Sequence, residues 1–97
     1  MVTVVWRKIA LNQLNSVYAY IKKDSLKSAE KVKREILETV EKLKDNPKIH
    51  GIDKYRKNND GSFRAFERYK FRVAYQVTPK QIRILRVRHT SREPLVH

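Results

Sequence analysis

The sequence predicts an α+β domain with the element order β-α-α-β-β-β, an antiparallel sheet carrying an N-terminal helical hairpin on one face. Three observations predict it. A β-branched run opens the chain, apolar residues then recur every three or four positions as far as Leu43, and three short alternating segments follow a polar stretch.

Each element has its own signal. Val2–Trp6 (VTVVW) has the β-branched composition of a strand. From Lys8 the period lengthens, and Leu14, Val17, Tyr18 and Ile21 mark a first helix that stops at Lys22–Lys23. Asp24 or Ser25 caps a second helix, because either side chain offers an oxygen to free backbone N–H groups. Leu26, Ala29, Val32, Ile36, Val40 and Leu43 form its apolar stripe, while Glu30 with Arg34 and Glu38 with Lys42 pair on its wet side. Lys42 and Lys44 suit the negative C-terminal end, and Asn46–Pro47 stops the helix. So short a connection makes the two helices an antiparallel hairpin. Residues 49–61 (IHGIDKYRKNNDG) are polar and turn-rich, a loop. Strands follow at Phe63–Arg68, Phe71–Val77 and Ile82–His89, with breaks at Tyr69–Lys70 and Thr78–Gln81 short enough for hairpins. There is no internal repeat or linker, so residues 1–97 are expected to form a single domain.

The net charge of +13 is unevenly spread: residues 1–45 hold ten basic and six acidic residues, residues 46–97 thirteen and four. Such a balance points to an anionic partner, or else to a merely solvated basic surface. Other classes are excluded. Without cysteine there is neither a disulfide framework nor a cysteine-based zinc site, and the three histidines are too scattered for a metal site. Two glycines do not make a phosphate-cradling loop. No apolar run approaches the roughly 20 residues of a membrane span, and the N-terminus lacks the order of a signal peptide. The expectation is a soluble cytoplasmic protein without cofactor, metal or membrane partner.

Candidate site residues lie on the strands. A two-residue turn at Tyr69–Lys70 sets Glu67 opposite Arg72, so an ion pair could account for that arginine. Closure at Thr78–Gln81 puts Arg72 and His89 on one face and Arg64 on the other. A single bulge would reverse that assignment. Arg83, Arg86 and Arg88 either contact a target or form the solvated side of an edge strand. Tyr55, Phe63, Phe66, Phe71 and Tyr75 could stack on bases, but their alternation with polar residues marks them as core. His89, at a strand end, has the one side chain type that titrates near neutrality.

The stretch FRVAYQVTPKQIRILRVRHTSREP resembles the last two sheet strands of the RelE/ParE superfamily of toxins. The spacing of Ala29, Ile36, Leu43 and Pro47 resembles its helical hairpin. The resemblance implies the toxin of a type II toxin–antitoxin (plasmid stabilisation) module, with a cognate antitoxin as partner. Arg72 matches the mid-strand arginine of the superfamily, Arg92 the arginine just past the last strand, and His89 a histidine of many ParE-like and some RNA-cleaving members. Arg64 stands where members often carry Arg or Lys. For a ribosome-dependent endoribonuclease (mRNA interferase), Arg72, His89 and Arg92 would be catalytic, while Arg64, Arg83, Arg86 and Arg88 would hold RNA. Cleavage by the ribose 2′-oxygen needs a base, an acid and cations for the phosphoryl oxygens. That reading, with ribosome and mRNA as partners, is expected first. One departure counts against it: the ribonucleases place a tyrosine or histidine beyond the final arginine, where only His97 follows here. The short tail is closer to ParE, whose known members poison DNA gyrase. A simple basic nucleic-acid-binding module is the third reading.

Overall fold

The computed structural model describes residues 2–90. Strand β1 (Thr3–Trp6) leads through Arg7 into helix α1 (Lys8–Lys22), and α2 (Leu26–Lys42) returns antiparallel to it. After a long loop, β2 (Phe63–Arg68), β3 (Phe71–Val77) and β4 (Gln81–His89) form a meander. The sheet order is β1-β4-β3-β2. The expected α+β fold is the observed one, with an adjustment at β1. That strand runs parallel to β4, pairing Thr3 with Gln81 and Trp6 with Ile84, so the sheet is mixed. Parallel pairing follows from the helical hairpin, which carries the chain back across the sheet before the meander begins. It also corrects the view of β4 as an edge strand: between Gln81 and Ile84 it lies inside the sheet.

Capping explains the helix boundaries. Ser25, in an extended conformation, accepts the Ser28 N–H at 3.1 Å and starts α2. At α1 the Arg7 side chain caps nothing; its N–H instead bonds the Ile84 carbonyl at 3.0 Å and sews strand to helix. Ala29, Val32, Ile36 and Val40 of α2 and Ala10 and Leu14 of α1 are buried, whereas Leu26 stays largely exposed at the first turn. The ion pair on the wet side is Arg34–Glu38 at 3.8 Å in place of the two expected pairs.

The core lies between the hairpin and one face of the sheet. Phe66, Phe71, Val73, Tyr75, Ile82, Ile84 and Val87 meet Leu14, Ile36, Val40 and Leu43 there. Each fully buried apolar side chain of this size stabilises the fold by roughly 1.5–3 kcal/mol. Phe66, Phe71 and Tyr75 are therefore core aromatics. Tyr69, at φ 57 in the β2–β3 turn, donates its hydroxyl to the Glu35 carboxylate and ties that turn to α2.

Candidate functional site

One irregularity decides what each face of the sheet displays. From the hairpin, β3 and β4 pair Val77 with Ile82 and Tyr75 with Ile84; then the register shifts and Ala74 pairs with Arg86. Leu85 is the extra residue, a β-bulge. Beyond it Arg72 pairs with Arg88, and His89 pairs with Phe71. The reversal that one bulge would bring has occurred: Arg72 and His89 lie on opposite faces, and His89 shares the helix-covered face with Arg64.

On the open face Arg72 is held on several sides. Its guanidinium lies 3.0 Å from Glu67 Oε2 and 3.2 Å from Asp53 Oδ1, and sits over the Tyr55 ring at 4.9 Å. The Asp53 residue is only 2% exposed. The loop delivers it there because Asp53 N–H bonds the Phe63 carbonyl at 2.8 Å and Ile52 bridges to Arg64 along the outer edge of β2. Asn59 fixes the remainder of the loop. Its amide donates to the Asp53 and Phe63 carbonyls at 3.1 and 2.8 Å, and its oxygen accepts the Gly61 N–H at 2.9 Å. Asp53 was not among the candidates from sequence. The available signal was a carboxylate in a polar, Asn-rich loop within a basic half of the chain, but its partner lies nineteen positions away.

Arg64 serves the same loop from the other face. Its Nη1 donates to the His50 carbonyl at 2.8 Å, and the Tyr75 hydroxyl donates to the Pro47 carbonyl at 3.0 Å. His50 packs on Phe66, with ring centroids 4.9 Å apart, and its pKa is lowered by burial and by the nearby Arg68. Burial pushes the Tyr75 hydroxyl up to about 12.

The other candidates gather at the far end of β4. There a groove of about 850 Å³ opens between α1 and the strand. Its walls include Gln13, Val17, Tyr20, Lys23, Arg86, Arg88 and His89. His89 stands edge-on to the Phe71 ring at 5.2 Å. Arg83 is separate, exposed on the open face and bonded to Gln81 Oε1 at 2.6 Å. Arg92 and His97 lie outside the described residues. Thus Arg86, Arg88 and His89 share a site, whereas Arg72 and Arg64 bind the loop. Among the described residues no group of three His, Asp or Glu side chains is placed to hold a metal, and no helix is long and apolar enough to cross a membrane.

Residues 4–94 match the family described as the ParE toxin of the type II toxin–antitoxin system parDE. The chain belongs to the ParE toxin family. Solved structures agree on the fold of this ParE-family chain. A chain of the chromosomal ParDE toxin–antitoxin system from P. aeruginosa is 24% identical, with a TM-score of 0.71 over 94% of this chain and 98% of that one. The YoeB dimer from Staphylococcus aureus is 19% identical, with a TM-score of 0.60 over 91% of this chain and 95% of that one. Among curated protein sequences none matches significantly.

Proposed function

We propose that this ParE-family toxin arrests growth by binding DNA gyrase, and that a cognate antitoxin with an acidic segment neutralises it. The bulge at Leu85 is the observation that carries the choice of target. It separates Arg72 from His89, and Asp53 and Glu67 already occupy the Arg72 guanidinium. RNA cleavage by 2′-oxygen attack needs its base, acid and phosphoryl cations around a single bond. An inhibitor that binds needs only a shaped, charged surface. The ParE family match and the ParDE origin of a similar solved chain support the same reading. The net charge of +13 suits an acidic antitoxin, whose association should slow as salt screens the attraction.

The ribosome-dependent endoribonuclease remains the second reading, favoured by the convergence of Arg86, Arg88 and His89 on one groove. Purified gyrase with supercoiled plasmid, run beside programmed ribosomes with labelled mRNA, separates the two. Gyrase-dependent linear DNA with intact mRNA is the expected result. Cleaved mRNA with unaffected gyrase would overturn the proposal in favour of the second reading.

A further inference from the structure

β1 ends at Trp6, opposite Ile84, but β4 continues to His89. Past Ile84 no strand of the described sheet runs along that side of β4. The amides of β4 alternate in direction. Thr90 N–H bonds Lys70 on β3, and the register gives Arg86 and Arg88 the same orientation, so Val87 and His89 turn their amides to the side that β1 leaves. A side chain from α1 fills part of that gap: Gln13 Oε1 accepts the Val87 N–H at 2.7 Å, where a neighbouring strand would place a carbonyl. An amide side chain in that position keeps the edge from pairing indiscriminately and can swing aside.

The surroundings specify what fits. On the helix side, Val17 and Tyr20 line the groove beside Phe71 and Val87. Arg86 and Arg88 extend to the opposite side of β4, and Lys23 closes one end. No carboxylate lines this groove. Successive side chains of an added strand point alternately to the two faces of the sheet. One set would meet Val17 and Tyr20, the other the two arginines.

We propose that the β4 edge from Leu85 to His89 is a strand-addition site for an extended partner segment whose residues alternate between acidic and apolar. The inference rests on the reading that this toxin has a protein partner, and is independent of which target it poisons. Backbone hydrogen bonds would supply affinity and the alternation would supply specificity. The five edge residues span about 17 Å, enough for one short segment.

Fluorescence anisotropy with a labelled octapeptide of alternating Glu and Val tests this on the full chain. The alternating peptide is expected to bind at least about tenfold more tightly than a block isomer of the same composition. N-methylation of its β4-facing amides should abolish binding. Gln13→Glu should weaken it, since a carboxylate beside Arg86 and Arg88 competes for the edge; circular dichroism checks that the variant folds. Equal binding of the block isomer and the N-methylated peptide would reduce the effect to charge alone and overturn the proposal. Absence of binding would also overturn it, as would an oligouridylate that binds more tightly and displaces the peptide. Because gyrase is absent from this assay, its failure leaves the target reading untouched.

Discussion

Arg72 and Asp53 form an ion pair at 3.2 Å in which the arginine side chain is 18% exposed and the aspartate 2%; the second partner, Glu67, is 54% exposed. The three residues are therefore not equivalent. Removing either member of the buried pair strands a charge away from water, at a cost of about 3–5 kcal/mol. Removing Glu67 opens an exposed contact worth about 1 kcal/mol or less. Urea denaturation should rank Arg72→Ala and Asp53→Ala together, well below Glu67→Ala. Equal stabilities for Asp53→Ala and Glu67→Ala would contradict this account. Any relief of toxicity by Arg72→Ala must then be judged against the folded fraction.

Ser25 rather than Asp24 caps α2, through its bond to Ser28 N–H. Ser25→Ala is expected to lower stability by about 1 kcal/mol. Asp24→Ala should change it by less than about 0.5 kcal/mol, as for other surface positions. Thermal melts of the two variants decide between the caps that the sequence left open.

Tyr75 links stability to high pH. Its hydroxyl, buried and bonded to Pro47, titrates at about 12 in the fold against 10.0 when solvated. Below pH 10 both states hold the proton, and its contribution to stability is fully present. As pH climbs from about 10 to about 12 only the unfolded chain gives it up, so stability falls. Tyr75→Phe should be less stable at neutral pH by about 0.5–1.5 kcal/mol for the lost hydrogen bond. It should also lose less stability between about pH 9 and pH 11 than the wild type, by urea midpoint. A parallel decline in both proteins would remove Tyr75 as the cause.

His89→Gln separates binding from proton transfer. On the gyrase reading it should leave growth arrest and gyrase-dependent DNA cleavage within about threefold of wild type, because no proton passes through the toxin. Were the protein a nuclease relying on this imidazole, the loss would be roughly 10²–10⁴-fold. Pulsed expression with mapping of messenger ends and DNA breaks reads both outcomes.

Much of the architecture was legible because it is local. The step from period two at Val2–Trp6 to three-and-four spacing through Val40 marks where strand becomes helix, and the three later strands end where their turns begin. The Glu67–Arg72 pairing was legible too, since the Tyr69–Lys70 turn dictates it. Leu85 was not: any apolar residue at that point suits either register, and only the packed sheet puts the extra residue there. Asp53 was hidden for a different reason, since its role depends on how a long loop closes.

What the sequence by itself determined is the set of elements, their order, the apolar faces of the two helices and the basic character of the later half. These depend on neighbours within a few positions, where backbone geometry leaves few choices. Tertiary structure decided which faces and partners the charged residues obtained. The parallel seat of β1 left the end of β4 uncovered. The bulge at Leu85 turned His89 away from Arg72, and the loop brought Asp53 nineteen positions to its arginine. The physical reason is parity and distance. One extra residue inverts every side chain beyond it. A contact across a long loop is selected by the whole core rather than by the residues beside it.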